Sequence, residues 1–281
     1  MSEKETFLPD PPPESSRLGQ VFKNRRPDRK VMSLFITAGY PHPDETVDLV
    51  LGFEKAGADI IELGMPFSDP LADGPTIQHS SEVALANGIT MDSIFGMVRR
   101  IREKSAIPVV LMGYINPVFS YGIERFFKQA AESGADGVIL PDVPVEESGY
   151  ADEYARRYGV PIICLVAPNT GDERMQLIDQ KSNGFVYCVS IAGVTGTREG
   201  SEVSSSVDTF IERVNRNIKK NPVMIGFGIR NHESAMAISK KVDGFIVGSA
   251  LIDNIRSHYP EKGWKDSLFE FVKELKHGKE S

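Results

Sequence analysis

Short apolar segments alternate with longer amphipathic segments along the chain from Val31 onward. Eight of the apolar segments have the length and composition of β-strands. They are MSLFITA (32–38), DIIELG (59–64), PVVLMG (108–113), GVILP (137–141), PIICLV (161–166), FVYCVS (185–190), PVMIGFG (222–228) and GFIVGS (244–249). Because these runs are continuously apolar, we expect a parallel sheet whose outer face is covered by helices.

Helical patterns occupy the segments between these strands. They cover residues 44–57, 75–88, 90–105, 122–134, 145–159, 171–182, 204–220 and 231–242. This regular alternation favours a single (β/α)8 TIM barrel, an α/β fold, over the alternative of a doubly wound open sheet. The phrase GAD, at 57–59 and again at 134–136, ends a helix and opens a strand each time, which hints at internal repetition.

The first 16 residues, MSEKETFLPDPPPESS, are rich in acidic residues and proline and lack an apolar run. We expect a flexible, disordered tail over residues 1–16 and a barrel domain over 17–281 that carries an extra N-terminal helix. The tail has neither a signal-peptide nor a transit-peptide pattern. No apolar run approaches the roughly 20 residues that span a membrane. With both cysteines in apolar runs, these features predict a cytoplasmic protein.

The net charge of -7 at pH 7 gives no basic face for nucleic acid. The five histidines do not have metal-ligand spacing, so we expect no metal site. No lysine lies within the strand runs or at their C-terminal ends, which argues against Schiff-base chemistry. No nucleotide-binding glycine motif is present. Proton transfer by carboxylates remains as the favoured chemistry.

Glu62 is the first candidate acid/base. In DIIELG, Ile61 and Leu63 share one side of the strand and suit packing against helices, which places Glu62 inside the barrel near its C-terminal end. A buried carboxylate is costly unless it is paired or neutralised, so the alternative is an ion pair at the barrel mouth. Asp73 follows in LADGPT, where either turn chemistry or substrate binding explains it.

The segments after strands seven and eight, GFG and GSA, predict a phosphate site. Glycine lets backbone N–H groups approach an anion, which makes Gly228, Gly248 and Ser249 candidates. The segment 191–206, IAGVTGTREGSEVSSS, follows strand six and is either a plain flexible loop or a lid that closes over the site.

Several motifs together resemble the tryptophan synthase alpha chain family. ELGMPFSDPLADGPTIQ, LMGYINPV, LPDVPVEES, SIAGVTGTR, GFGIR and VGSAL occur in the family's order, between about Arg17 and about Arg256. The resemblance implies a lyase of tryptophan biosynthesis that cleaves indole-3-glycerol phosphate to indole and glyceraldehyde 3-phosphate. It also implies an α2β2 heterotetramer with a beta chain that receives the indole. Pyridoxal phosphate is expected only on that beta chain, with no cofactor on this one.

The resemblance also implies roles for individual residues. Glu62 would be the general acid/base, Asp73 would bind the indole N–H, and Tyr187 would line the pocket beside Glu62. Phe35 and Leu111 would line the indole slot, and Thr195 in the lid would interact with Asp73 when the lid closes. The residues that would bind the phosphate are Gly196, Phe227, Gly228, Gly248 and Ser249. A further group would face the beta chain: Asp69, Pro70, Asn116, Pro117 and Pro144.

Two positions depart from the family pattern. Tyr40 stands where well-known members carry an acidic residue, and Ile191 where some carry arginine. Three other functions remain open at this stage. They are a stand-alone lyase that releases free indole, a non-catalytic binder of a phosphorylated ligand that regulates a partner, and a different phosphosugar barrel such as an isomerase.

Overall fold

The computed structural model describes residues 16–26, 29–189, 200–226 and 228–279, with the backbone alone over 200–206. Within these residues eight parallel strands close into a barrel in sequence order, and the last strand pairs with the first. The predicted (β/α)8 barrel is confirmed, and the doubly wound sheet was the wrong alternative. The strands are β1 Val31–Thr37, β2 Ile60–Gly64, β3 Val109–Met112, β4 Gly137–Ile139, β5 Ile162–Val166, β6 Val186–Val189, β7 Val223–Gly226 and β8 Gly244–Val247.

Helices surround the barrel and include the extra N-terminal helix that was predicted. They are α1 Arg17–Lys23, α2 Glu45–Lys55, α3 Pro75–Ala86, α4 Met91–Arg102, α5 Ile115–Tyr121, α6 Ile123–Ser133, α7 Gly149–Tyr158, α8 Asp172–Lys181, α9 Gly200–Asn217, α10 His232–Ser239, α11 Ser249–His258 and α12 Trp264–His277. The predicted tail, residues 1–16, lies outside the described residues except for Ser16, the N-cap of α1. Among the described helices, none is long and apolar enough to cross a membrane.

Local sequence signals set the ends of several helices. Pro75 starts α3, where its missing N–H costs nothing. Thr90 and Ser93 form a capping box at the start of α4. Gly134 and Gly159 end α6 and α7 in the left-handed conformation that glycine adopts without strain. The first two signals thus fix where α3 and α4 begin, and the two glycines fix where α6 and α7 turn towards β4 and β5.

Helix α1 closes the N-terminal end of the barrel, which we call the floor. Leu18 is fully buried and packs with the residues that point into the barrel, and the ring of Phe22 lies 6.1 Å from that of Phe185. The inward-pointing apolar residues are Val31, Ile60, Val110, Ile139, Ile163, Phe185, Met224 and Ile246. Because this layer is apolar and plugged by α1, the interior is reached from the C-terminal end of the strands, the mouth.

Aspartates that precede three strands give the GAD repetition a physical meaning. Each carboxylate accepts a hydrogen bond from a backbone N–H of the preceding strand. The pairs are Asp59 with Met32 at 2.7 Å, Asp136 with Val109 at 2.8 Å and Asp243 with Val223 at 2.8 Å. Each aspartate also pairs with a cation: Lys276, Arg102 and Arg25 respectively. The floor is thus tied together at three places, far from the mouth.

Candidate active site

Glu62 points into the barrel near the C-terminal end of β2, as predicted. Its Cα pairs in register with Phe35 of β1 and Val110 of β3, and the residue is 0% exposed. The Ser33 hydroxyl donates a hydrogen bond of 2.7 Å to Oε1. The other oxygen, Oε2, is buried and has no hydrogen-bond partner among the described residues. A buried polar atom left without a partner is uncommon and needs an explanation.

Burial raises the pKa of Glu62 to about 7, and the hydrogen bond from Ser33 opposes that rise. No Lys or Arg among the described residues interacts with Glu62. The alternative of an ion pair at the barrel mouth is therefore not observed in this part of the chain. A carboxyl group that titrates near neutral pH can both give and take a proton under physiological conditions. Glu62 therefore has the properties of a general acid/base.

Asp73 lies in the loop after β2, just before α3, and interacts with Tyr114. Burial raises the pKa of Asp73, while the hydrogen bond from Tyr114 lowers it. The Tyr114 hydroxyl also accepts a hydrogen bond of 2.9 Å from the backbone N–H of Ala72. Burial is the main cause that raises the pKa of Tyr114 to about 12, so its proton stays in place as a donor.

Tyr114 was not singled out as a functional residue from the sequence. It follows β3 directly, in the LMGYINPV motif, and is almost fully buried with its ring 5.5 Å from that of Phe67. A polar aromatic residue just beyond the C-terminal end of a barrel strand is the signal that could have identified it. Its hydroxyl holds the loop of Asp73 against the mouth.

Tyr187 of β6 lies inside the barrel close to both carboxyl groups. Burial raises its pKa well above the usual value, and the negative charges of Glu62 and Asp73 add to that rise. A side chain on Gly226 of β7 would force Tyr187 to shift, because its Cβ would lie 2.7 Å from the Tyr187 hydroxyl oxygen. The glycine at the end of β7 therefore makes room for the tyrosine.

Phe35 of β1 forms another wall of the barrel interior, and its side chain packs against two glycines. A Cβ on Gly64 would lie 2.6 Å from the tip of the Phe35 ring, and one on Gly248 would lie 3.5 Å from the Phe35 Cβ. Phe35 thus packs between the C-terminal ends of β2 and β8, where it was predicted to wall a slot.

The expectation that Leu111 lines the same slot is wrong. Leu111 packs in the core between the strands and the helices, whereas its neighbour Met112 packs with the residues that point into the barrel. The register explains the difference, because Val110 pairs with Glu62 and Met112 with Gly64, both interior positions. The parity argument that was used for β2 identifies Met112 when it is applied to β3. Leu165 of β5 packs on the interior cluster as well.

The phosphate candidates lie at the mouth, and one of them starts a helix. Ser249 is the first residue of α11, and its N-cap Gly248 provides no side-chain cap. The first backbone N–H groups of α11 therefore face outward without a side-chain acceptor at the N-cap, as in sites that bind anions. By contrast, Asn231 and Ser234 form a capping box that uses the N-terminus of α10. Gly228 is exposed and has a φ of 47°.

Some predicted positions lie outside the described residues. These are Thr195, Gly196 and Phe227, together with the departure at Ile191. The other departure, Tyr40, is described and is 3% exposed, with its ring 6.1 Å from that of His79. It therefore belongs to the packed interior beside α3.

The residues predicted to face a partner follow the ends of three neighbouring strands. We call them the β2–β4 rim: Asp69, Pro70, Asn116, Pro117 and Pro144. Large apolar side chains are exposed in the same segments or the helix that follows, with Leu71 96%, Phe119 50% and Tyr150 37% exposed. The rings of Phe119 and Tyr150 lie 5.3 Å apart. Exposed apolar side chains grouped in this way are typical of a protein–protein contact surface.

The mouth thus combines a buried acid that titrates near neutral pH, a second carboxyl group, an apolar slot and a helix N-terminus. This set suits proton transfer on a substrate that has an aromatic ring at one end and an anionic group at the other. Within the described parts of the chain, no cluster of three or more His, Cys, Asp or Glu side chains is placed to hold a metal ion.

Comparisons with known proteins agree on one family. A family model described as "Tryptophan synthase alpha chain" matches residues 22–279. A tryptophan synthase alpha chain of Flavobacterium johnsoniae is 44% identical over 262 residues, covering 92% of this chain and 100% of that protein. The crystal structure of the alpha chain from Legionella pneumophila matches with a TM-score of 0.84 and 36% identity, covering 94% and 97% of the two chains. A chain of the α2β2 tryptophan synthase complex of Pyrococcus furiosus matches with a TM-score of 0.78 and 36% identity, covering 88% and 98%.

Proposed function

The chain belongs to the tryptophan synthase alpha chain family, and on that premise we propose that its mouth cleaves indole-3-glycerol phosphate to indole and glyceraldehyde 3-phosphate. The reaction is a retro-aldol cleavage in L-tryptophan biosynthesis. The observation that carries the proposal is the buried carboxyl group of Glu62, which has a pKa of about 7 and an oxygen without a described partner. The rest of the mouth supplies the surroundings that this chemistry needs.

Glu62 acts as both acid and base in the proposed reaction. Its proton is given to the ring carbon of indole that carries the glycerol chain, which leaves a positively charged, iminium-like ring. The carboxylate then removes the proton from the neighbouring glycerol hydroxyl. A carbonyl forms there, the carbon–carbon bond breaks, and its electron pair returns to the ring, releasing neutral indole. Groups in such a role contribute about 10²–10⁴-fold to a rate.

Asp73 stabilises the charged ring in this proposal. As a carboxylate it accepts a hydrogen bond from the indole N–H and offsets the positive charge that develops there. The hydrogen bond from Tyr114 favours the charged form of Asp73 against the effect of burial. The proposed reaction requires the two carboxyl groups to take different roles, with Glu62 exchanging its proton and Asp73 acting as the carboxylate beside the ring.

The remaining residues bind the two ends of the substrate. Phe35 and Tyr187 wall the indole slot, and Met112 takes the place first expected for Leu111. Gly228, Gly248 and Ser249 bind the phosphate through backbone N–H groups and the hydroxyl of Ser249. The family resemblance also assigns phosphate binding to Gly196 and Phe227 and an interaction with Asp73 to Thr195, three positions outside the described residues.

The partner in this proposal is a tryptophan synthase beta chain in an α2β2 heterotetramer. The support is the match to a chain of such a complex from Pyrococcus furiosus, together with the exposed apolar side chains next to the β2–β4 rim. Indole made at the mouth passes to that partner. Pyridoxal phosphate belongs to the beta chain, and the proposed cleavage uses side chains alone.

Both cysteines, Cys164 and Cys188, are free thiols, and we place the reaction in the cytoplasm.

The test is the release of indole from indole-3-glycerol phosphate by the purified chain, with and without a beta chain. Glu62→Gln keeps the shape of the side chain and removes the proton exchange. Glu103→Gln serves as a matched control, because Glu103 is an exposed glutamate at the end of α4, next to the floor. We expect slow release by the chain alone, a large increase with the beta chain, loss of release in Glu62→Gln and wild-type behaviour of Glu103→Gln.

Other outcomes point to the alternatives. Fast release without the beta chain would indicate a stand-alone lyase. Binding of the substrate without any cleavage would indicate a non-catalytic regulator. Conversion of another phosphosugar in its place would indicate an isomerase or a related barrel enzyme. Undiminished release by Glu62→Gln would remove Glu62 from the mechanism.

A further inference from the structure

Ser33 is a polar residue in a part of the barrel interior that is otherwise aliphatic. It pairs in register with Ile60 on one side and Ile246 on the other, and both of these belong to the apolar cluster above the floor. Ser33 itself is 0% exposed. Burying a hydroxyl group is costly unless it makes a hydrogen bond, so its partner is the key to its presence.

That partner is Glu62. The Ser33 hydroxyl oxygen lies 2.7 Å from Glu62 Oε1, and both side chains are fully buried. Ser33 lies two residues before Phe35, the register partner of Glu62, so the carboxyl group is held by a strand next to its own, below the slot. The hydrogen bond therefore restrains the orientation of the carboxyl plane.

The two oxygens of Glu62 are not equivalent. Oε1 accepts the hydrogen bond from Ser33, whereas Oε2 is buried without a partner among the described residues. Since Oε1 already accepts a hydrogen bond from the Ser33 hydroxyl, this arrangement favours Oε2 as the oxygen that carries the acid proton of neutral Glu62. An oxygen that carries a proton and has no protein partner is available to a bound substrate.

We propose that Ser33 is a positioning residue that orients the carboxyl group of Glu62 and keeps its exchangeable proton on Oε2. The role in catalysis rests on the proposed lyase function, whereas the coupling between the two side chains does not. The same hydrogen bond favours the carboxylate and so works against the effect of burial. Without this hydrogen bond, the pKa of Glu62 would be higher and the orientation of its carboxyl group would be less restrained.

Ser33→Thr and Ser33→Val test this proposal as a matched pair. The two side chains have nearly the same shape, and only threonine keeps the hydroxyl donor. We expect kcat of Ser33→Val to fall by roughly 10- to 100-fold with little change in KM, and that of Ser33→Thr to recover most of the loss. The apparent pKa of the limb of the pH–rate profile that Glu62 controls should rise by about one unit in Ser33→Val and stay unchanged in Ser33→Thr. Ser33→Ala, which removes the hydroxyl without adding bulk, should behave like Ser33→Val.

A second measurement does not depend on activity. The Glu62 carboxyl carbon, labelled with ¹³C, is followed by NMR over a pH titration of the substrate-free chain. A higher pKa in Ser33→Val and Ser33→Ala than in wild type and Ser33→Thr supports the coupling, even if the wild-type chain proves unable to cleave indole-3-glycerol phosphate. Equal pKa values in all four proteins would overturn the proposal, and so would equal kcat in Ser33→Thr and Ser33→Val of a chain that does cleave it.

Discussion

Glu62 lowers the stability of the folded chain while it supplies the proposed chemistry. Its carboxyl group is fully buried, and no described cation pairs with it. The charged form is therefore disfavoured in the folded state and unaffected in the unfolded one. Residues that are tuned for proton transfer often reduce stability in this way, because the same desolvation that adjusts the pKa also opposes folding.

Stability should therefore depend on pH through Glu62. The pKa rises from 4.5 to about 7 on folding, so the folded chain binds the extra proton and stability falls as pH rises through that window. The loss at pH 8 is on the order of 3 kcal/mol. Glu62→Gln should then be more stable than wild type at pH 8 and similar to it at pH 4, as measured by urea unfolding. A stability difference that is the same at both pH values would contradict this assignment, and Glu103→Gln should show no such dependence.

Residues whose role follows from strand parity were predictable, and those whose role follows from contacts between strands were not. Alternation along β2 placed Glu62 inside the barrel. The error at Leu111 arose because this residue was taken from the family resemblance, and the parity of β3, which identifies Met112, was not applied. Ser33 and Tyr114 were missed, since a serine in a strand or a tyrosine after one gains meaning only when its hydrogen-bond partner on another segment is known.

Helix α1 is short, and its contribution comes from where it packs. Leu18 contacts the interior layer so closely that a Cβ on Gly184 would lie 2.5 Å from Leu18 Cδ2. Isolated helices of this length are not stable in water, so the apolar contacts with the floor hold α1 in place. The helix in turn shields the lower end of the barrel from solvent.

Leu18→Ala should destabilise the fold without changing the chemistry. Removing a fully buried leucine side chain leaves a cavity, and we expect a loss of about 2–5 kcal/mol in the free energy of unfolding. Val21→Ala, at a half-buried position of the same helix, should cost less. Indole release per folded molecule should stay at the wild-type level in both, because the mouth lies at the other end of the strands. A drop in kcat with unchanged stability would argue against the floor as a purely structural region.

Strands and long amphipathic helices were predictable from periodicity, while three helices were not. Helix α5 is short and contains Pro117, which is tolerated in a first turn but argues against a helix in a pattern search. Helix α11 starts within a Gly-Ser sequence that reads as a turn. Helix α12 lies beyond the last predicted strand, in a part of the chain where no helix was predicted.

The whole molecule separates stability from chemistry along the barrel axis. Three aspartate bridges and the plug of α1 lie at the floor. The carboxyl groups, the apolar slot and the β2–β4 rim lie at or beyond the C-terminal ends of the strands. This division is general for the fold, in which the loops after the strands carry function. The fold class followed from the order of elements, but the exposed apolar side chains beside the rim required the structure.

Tyr150 and Tyr158 allow a test of the partner surface within one helix. They lie at opposite ends of α7, and Tyr150 packs against Phe119 next to the rim. Tyr150→Ser should weaken binding of a beta chain by about 10-fold, as measured by calorimetry, and leave basal indole release unchanged. Tyr158→Ser, at the far end, should affect neither. Equal affinities of the two variants would exclude this part of the surface from the contact.

The ion pairs at the floor determine where a fused polypeptide would leave the folded chain. Arg17, at the start of α1, pairs with Asp136, and Lys276, near the end of α12, pairs with Asp59. The first and last described helices are therefore both anchored on the face opposite the mouth. A polypeptide fused directly before Ser16 or directly after Lys279 therefore starts near these ion pairs of the floor and not at the rim. A linker meant to bring a fused partner to the rim must accordingly run the full height of the barrel.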